Sequence, residues 1–216
     1  MGTKPTMRTS LCTRRWTAVN ESTYGHERSA LERIRAAMPD ADPWRAWSNF
    51  SFATATGRLF EVDLLITAPS GLYLVELKSW RGRLTATESG CWVQTKDSNQ
   101  QITHGRPLQL TLHKSTALER LLCAAGEYVA VRPVLCLSND QLQIELPGRE
   151  RRHTLTVDSL LERLSRPTHN ACHRMPRSRV DGIERALASV GIAPPEQLLS
   201  AEWPGGEPAP GLSGIA

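Results

Sequence analysis

The chain has 216 residues, 40% of them apolar and 22% charged, and its formal net charge is +4. That length permits one full domain with tails, or at most two small domains, and the composition is typical of a globular protein with a buried core. The charge allows a polyanionic partner without requiring one, because nucleic-acid affinity depends on where the cations cluster. No apolar run approaches the roughly 20 residues that a membrane helix needs, so no membrane partner is expected.

The five cysteines are dispersed along the chain, and none of them belongs to a CxxC pair. The basic, polar stretch that ends at Trp16 also lacks the apolar segment of a secretory signal. These two features predict reduced thiols in a protein of the cytoplasm.

The first half of the chain is predicted to contain one helix followed by a series of strands. Residues 1–20 are expected to be a flexible lead-in, after which Ser22 or Thr23 caps a helix that runs to about Met38. Strands are predicted at 46–54, 58–67 and 72–80, with one or two more within 83–103. In residues 68–71, Pro at the second position and Gly at the fourth favour a type I turn between the two strongest strands.

The second half is predicted to begin with a helix that runs to about Ala124, because Pro107 suits a first helical position. An apolar, β-branched run then predicts a buried strand over 129–137. A short edge strand and two helices are expected at about 141–146, 156–165 and 177–190. Prolines and glycines predict a linker or disordered tail over 193–216. Together these elements predict an α/β (α+β) fold, with a central mixed β-sheet flanked by helices.

The turn also predicts the register of the hairpin around it. If the turn is symmetric about Pro69 and Ser70, Asp63 lies opposite Glu76. Opposed side chains on one face of a sheet lie about 4.5–5.5 Å apart at Cβ. The period of two along a strand places Lys78 on the same face as Glu76. The sequence thus predicts a compact group of two carboxylates and one ammonium.

The hairpin is otherwise apolar on both faces, as is typical of strands in the middle of a sheet that is covered on both sides. Two carboxylates that face each other there repel, and burying them unpaired is unfavourable. A bound divalent cation removes both penalties, since Mg²⁺ prefers oxygen ligands and commonly takes one or two carboxylates. The pattern therefore favours a divalent-metal site at Asp63 and Glu76.

A structural interpretation of these residues stays open. In the same register Glu61 faces Lys78, so those two can form a plain cross-strand ion pair while Asp63 and Glu76 lie near a solvated end. The first helix offers a similar choice, because Glu27 shares its core-facing stripe. Glu27 either contributes to the site or, as an acidic residue in the first turn, complements the helix dipole.

Asp63, the turn and Glu76-Leu77-Lys78 resemble the D…(D/E)xK core of the restriction-endonuclease-like superfamily. More narrowly, the chain from about Tyr24 to Leu122 is similar to the nuclease-related (NERD) domain. The matching residues are Glu27, Glu61-Val62-Asp63, Pro69-Ser70-Gly71, Val75 to Gly82, Trp92, Pro107-Leu108-Gln109 and His113. Residues 44–50 further resemble the NERD region that precedes the kinase in phage-growth-limitation (BREX-type) defence proteins, although this chain shows no glycine-rich loop and no HRD-type motif.

The resemblance implies a restriction-endonuclease-like fold with a nuclease core at 21–125. Residues 126–192 would add a sheet-completing strand and C-terminal helices to the same domain. The implied ligands of Mg²⁺ (or Mn²⁺) are Asp63, Glu76, the main-chain carbonyl of Leu77 and, directly or through water, Glu27.

The resemblance also implies catalytic and substrate-binding residues. Lys78 would orient or activate the attacking water and stabilise the developing negative charge. Gln109, one turn before His113, would support the nucleophile or contact the DNA backbone. The cations that flank the site in sequence, and that are expected to hold phosphates, are Arg81, Arg83, Arg106 and Lys114.

Two functions are compatible with these expectations. The first is Mg²⁺-dependent hydrolysis of DNA phosphodiester bonds, in phage defence or DNA processing, with defence-system proteins as further partners. The second is a catalytically silent DNA-binding or protein-recruiting module with the same fold. The intact set of Asp63, Glu76 and Lys78 favours the nuclease, because a binding module has no need of it.

Overall fold

The computed structural model describes residues 15–20, 22, 24–169 and 173–192. Its elements are β1 (Trp16–Ala18), α1 (Gly25–Ala37), β2 (Arg45–Ala53), β3 (Leu59–Ala68), β4 (Gly71–Lys78), β5 (Arg83–Ala86), β6 (Trp92–Thr95), β7 (Gln101–Thr103), α2 (Pro107–Ala124), β8 (Val131–Leu137), β9 (Gln143–Glu145), α3 (Gly148–His153), β10 (Thr154–Thr156), α4 (Val157–Ser165) and α5 (Arg177–Ser189). None of the helices in these ranges combines the length and the apolar character needed to cross a bilayer.

The larger sheet has six strands in the order β1-β2-β3-β4-β8-β10. Strands β2, β3 and β4 are antiparallel, whereas β1 joins β2, β8 joins β4 and β10 joins β8 in parallel. This mixed sheet, with helices packed against it, confirms the predicted α/β class. A smaller sheet has the order β7-β6-β5-β9, with the short strand β9 at its edge as predicted.

Helices cover both faces of the larger sheet, which explains why β3 and β4 are apolar throughout. On one face α1 and α4 pack against alternate residues of the hairpin, including Leu64, Ile66 and Val75. On the other face α2 and α5 pack against Leu65 and Leu74, which lie opposite each other as the turn predicts. The centre of β4 is therefore a rigid frame for side chains at its carboxyl end.

Three features of the fold differ from the sequence predictions. Strand β1 pairs with β2, so residues 16–18 are not part of a flexible lead-in, while residues 1–14 and the tail at 193–216 lie outside the described residues. Helix α1 begins after Tyr24 without a side-chain cap; Thr23 is not described, and Ser22 donates a hydrogen bond to Glu27 instead. The segment 83–103 forms three strands, and α3 and β10 were not predicted.

Candidate functional site

The carboxylate of Asp63 is fixed against β4. The β3–β4 ladder keeps the predicted register and ends at Leu64 opposite Val75. Beyond that pair, Oδ2 of Asp63 accepts a hydrogen bond from the backbone N–H of Leu77, at 2.6 Å. A side chain thus takes over the role of a backbone acceptor where the ladder stops.

Strands β2 and β3 both change their side-chain alternation next to Asp63. The residues on the α2 and α5 face include two pairs that are three positions apart, Trp47 with Phe50 and Val62 with Leu65. In a regular strand, residues on the same face are two positions apart. A spacing of three therefore means that one residue between the members of each pair departs from the regular alternation. In β2, Asn49 has φ 53°, a left-handed conformation that asparagine tolerates better than most residues. This local irregularity lies beside the Asp63 carboxylate.

Glu76 is the centre of the site. Its Oε1 accepts a hydrogen bond from Nζ of Lys78 at 2.9 Å, and its Oε2 accepts one from Nζ of Lys114 at 2.6 Å. Glu76 and Lys114 are only 8% and 6% exposed. Lys78 pairs with Glu76 while Glu61 is exposed, so the plain Glu61–Lys78 ion pair of the structural interpretation is not found in the described part of the chain.

The charges of the site are not balanced. Burial and the neighbouring Glu76 carboxylate raise the pKa of Asp63 to about 6. Burial also opposes ionisation of Glu76, but the Lys78 and Lys114 ammoniums outweigh it and hold the pKa of Glu76 below its usual value. Burial likewise opposes the charge on Lys78, yet Glu76 raises the pKa of Lys78. The site thus keeps Glu76 ionised, whereas burial and the Glu76 charge favour the protonated form of Asp63.

Helix α1 brings a third carboxylate to the edge of the site. Glu27 is half-buried, and its Oε2 accepts a hydrogen bond from Oγ of Ser22 at 3.1 Å. Its charge acts on both Asp63 and Lys78, raising the pKa of each. The Glu27 carboxylate therefore lies near enough to Asp63 and Lys78 for its charge to act on both of them.

The structure does not place Gln109 with the carboxylates. Lys114, the residue of α2 that contacts Glu76, lies five positions further along the helix. Five residues rotate a helix by about 140° from the starting direction, so the two side chains leave α2 on different faces. Gln109 is exposed and lines a separate pocket together with His113.

The four predicted phosphate-binding cations have different surroundings. The prediction that Lys114 holds a phosphate is corrected, because Lys114 is buried against Glu76 and is not open to a substrate. Arg83 pairs with Glu145 on the neighbouring strand of the small sheet. Arg81 and Arg106 are exposed, and of these four cations they are the two best placed to meet a phosphate without first losing a carboxylate partner.

The sequence patterns did not predict a stacked pair of aromatic rings beside Lys78. Trp80 stacks on His104 with ring centroids 4.0 Å apart and planes 18° apart. Nε2 of His104 lies 2.9 Å from Oε1 of Gln94, whose Nε2 donates to the carbonyl of Arg81 at 2.7 Å. Burial, and then the charge of Lys78, lower the pKa of His104, so the ring lies near the site. A single histidine in a short strand-to-helix loop gives no pattern from which this could be predicted.

The donor set fits a partly hydrated Mg²⁺ ion. In the described ranges, no group of three or more His, Cys, Asp or Glu side chains is arranged to hold a metal. Mg²⁺ usually keeps several waters, however, and binds through one or two carboxylates. A carboxylate has about four lone-pair positions, so the two lysine contacts do not exhaust Glu76. Burial and the Glu76 carboxylate raise the pKa of Asp63, and a divalent cation at this position would favour the ionised form of Asp63 instead.

Comparisons with known proteins show the family to which the chain belongs. A family model described as "Nuclease-related domain" (NERD) matches residues 22–138, which include the whole Asp63–Glu76 site. "Probable kinase PglW" from Streptomyces coelicolor (strain ATCC BAA-471 / A3(2) / M145) is 42% identical over 179 residues, which are 82% of this chain but only 11% of that protein. No solved structure matches the chain. The chain belongs to the nuclease-related domain family.

Proposed function

We propose that this chain is a Mg²⁺-dependent nuclease that hydrolyses DNA phosphodiester bonds at the Asp63–Glu76 site. The observation that carries the proposal is the pair of carboxylates on adjoining strands, with Nζ of Lys78 2.9 Å from Glu76. Membership in a nuclease-related family makes phosphodiester chemistry the first choice for such a set. Mn²⁺ is the natural substitute for Mg²⁺ in a test.

Asp63 and Glu76 supply the oxygen ligands, with the main-chain carbonyl of Leu77 and the carboxylate of Glu27 as further donors. When bound, the ion lowers the pKa of a water molecule and neutralises phosphate charge. The Leu77 N–H holds Asp63 in position, which lowers the reorganisation that ligand binding would otherwise require.

Lys78 and Lys114 have different tasks in this proposal. The side chain of Lys78 is 27% exposed, so its ammonium is accessible to a phosphate and can stabilise negative charge on it. The side chain of Lys114 is 8% exposed and touches Glu76 from the helix side. Lys114 is therefore a positioning residue that orients the Glu76 carboxylate.

The biological setting we infer is phage defence in the cytoplasm, with other defence proteins as partners. Its support is the similarity to "Probable kinase PglW", which extends over 82% of this chain. The chain corresponds to only 11% of that relative, so our proposal for this chain does not include the kinase activity in the relative's name.

One observation favours a second function, a DNA-binding or protein-recruiting module without catalysis. Both carboxylate oxygens of Glu76 are already bonded to lysines, which stabilises the site without a metal ion. A chain that has lost catalysis keeps such a pair for stability alone.

Cleavage of plasmid and single-stranded DNA in Mg²⁺ or Mn²⁺ separates the two functions. We expect the wild type to cut, Glu76→Gln and Lys78→Ala to abolish cutting, and Glu61→Gln and Lys96→Ala to cut normally, because Glu61 and Lys96 are exposed. Binding of Mn²⁺ to the wild type but not to Asp63→Asn, followed by electron paramagnetic resonance, gives a second readout. If pure, folded wild type cuts with neither ion, the nuclease is wrong, and salt-dependent DNA binding becomes the assay of the module.

A further inference from the structure

A basic pocket of about 620 Å³ lies at the end of the hairpin that is remote from Asp63 and Glu76. It is formed by the β3–β4 turn, the start of β8, helix α3 and the end of α4. Glu76 lies five residues along β4 from Gly71, so at about 3.3 Å per residue the turn is roughly 16 Å from Glu76. The pocket is thus separate from the nuclease site.

Four arginines line this pocket, and its lining contains no Asp or Glu: Arg132, Arg152, Arg163 and Arg166. Arg166 pairs with Glu162 on the exposed side of α4. The hydrogen bonds that the other three make within the described residues go to carbonyl or hydroxyl oxygens, which carry no charge. Most of the positive charge in the pocket is therefore uncompensated by the protein.

Arg132 is held in place for a ligand. Its Nη1 donates to the carbonyl of Ser70 at 3.1 Å and to the hydroxyl of Tyr73 at 2.8 Å. The Tyr73 hydroxyl donates in turn to Oγ of Ser70, which donates to the carbonyl of Leu164. Tyr73 and Ser70 are buried, so this chain of hydrogen bonds anchors the guanidinium to the core. Both hydrogen bonds that Arg132 makes with described residues come from Nη1, so Nε and Nη2 donate to none of those residues. The guanidinium also lies over the Tyr73 ring, with Cζ 5.4 Å from the ring centroid.

The chemistry of these side chains indicates the class of ligand. A guanidinium matches two phosphate oxygens with parallel hydrogen bonds, and bringing several like charges together is unfavourable unless an anion joins them. The volume lies in the range of about 300–1,000 Å³ that small-molecule sites occupy. Cations that converge on one concave space from β8, α3 and α4 suit a compact, highly charged anion better than an extended strand.

We propose that this pocket binds a compact polyphosphate, either free polyphosphate or the triphosphate group of a nucleotide. The proposal does not depend on nuclease activity, because none of the lining residues belongs to the Asp63–Glu76 site.

The test is calorimetric titration of the full chain with tripolyphosphate and, separately, with ATP, in buffer that contains EDTA so that no metal at Asp63 contributes. We expect one ligand per chain and a rise in Tm. The double variant Arg152→Gln/Arg163→Gln should bind at least about tenfold more weakly, because two charge-assisted contacts are lost. Tighter binding of ATP than of tripolyphosphate assigns the site to nucleotides, and equal binding assigns it to the polyphosphate group alone.

Arg185→Gln is the matched control, because it removes an exposed arginine from α5, outside the pocket. It should bind within about twofold of the wild type, since a single distant surface charge is largely screened. Equal losses in the control and the double variant would show a general charge effect and overturn the proposal. It is also overturned if tripolyphosphate and ATP fail to bind, including the case in which a short DNA duplex alone binds in an Arg152- and Arg163-dependent manner.

Discussion

Lys114 of α2 and Glu76 of β4 form a buried ion pair, with Nζ 2.6 Å from Oε2, that ties a helix to the carboxyl end of the central strand. A buried ion pair of this kind affects stability mainly when one partner is removed and the other is left behind. The remaining charge then lies away from water with fewer partners, which is more costly than the absence of both.

We expect Lys114→Met to lower the free energy of unfolding. Loss of one partner from a buried pair typically costs about 3–5 kcal/mol, and the remaining contact with Lys78 places this variant near the lower limit. Urea unfolding measures the change. Lys96→Met, in an exposed loop, is the control, and a similar loss in both variants would contradict the role of the pair.

The raised pKa of Asp63 predicts that stability falls with increasing pH in metal-free buffer. The folded protein holds the Asp63 proton up to a pKa of about 6, against 3.8 for the ordinary value, so it binds more protons than the unfolded chain between those limits. The advantage of Asp63→Asn over the wild type should therefore begin near the ordinary pKa of 3.8, reach about 1 kcal/mol at pH 4.5 and rise to about 3 kcal/mol at pH 8. Asp97→Asn, on the surface, should show no such difference.

The choice of pH range and the addition of Mg²⁺ both bear on the prediction for Asp63. Glu76 acts in the opposite sense, because its lowered pKa stabilises the fold above its ordinary value of 4.5 and that contribution is lost on further acidification. Chemical unfolding from pH 4.5 to 8 avoids most of this second effect. Mg²⁺ should then raise the stability of the wild type but not that of Asp63→Asn. A wild type that gains stability across this range without metal would contradict the assignment.

Gly82 should not tolerate a side chain. It has φ +87°, and an added Cβ would lie 2.2 Å from the carbonyl oxygen of Thr95. We expect Gly82→Ala to move β5 away from β6 and to lower Tm. Gly57→Ala is the control, because Gly57 has φ +80° but no atom within 4 Å of an added Cβ, so only the backbone strain of about 1–3 kcal/mol applies. An equal fall in Tm for Gly82→Ala and Gly57→Ala would show that the contact with the Thr95 carbonyl oxygen does not lower stability.

The cysteines should differ in their reaction with iodoacetamide at neutral pH. Hydrogen bonds with Ser89 and Arg106 lower the pKa of Cys91, whereas burial raises the pKa of Cys136 to about 12. Since the thiolate is the nucleophile, Cys91 should be alkylated in the native protein, and Cys136 only after unfolding. Peptide mass mapping gives the order, and early labelling of Cys136 in the native protein would contradict its burial.

Local sequence signals were sufficient for the hairpin that carries the site. Pro69 and Gly71 predicted the turn, and the turn predicted which residues of β3 and β4 face each other. Pro107 likewise predicted the first residue of α2. The turn, its register and the start of α2 are determined by residues close together in the sequence, so local sequence patterns can predict them.

Long-range packing accounts for what could not be predicted. Lys114 reaches Glu76 across 38 positions, and its burial depends on how α2 rotates against β4. Gln109 was expected at the site for the same reason and lies on another face of the helix. Strand β1 is too short for a periodic pattern and exists through its pairing with β2.

The hydrogen bond from the Leu77 amide to Asp63 makes that amide an internal reporter of the site. Its proton resonance should shift when Asp63 gains a proton or exchanges a proton for a cation, so isotope labelling alone, without any substitution, makes the change visible. Nuclear magnetic resonance of one backbone group can therefore follow acid titration and metal titration in the intact chain, and distinguish the two by their dependence on pH.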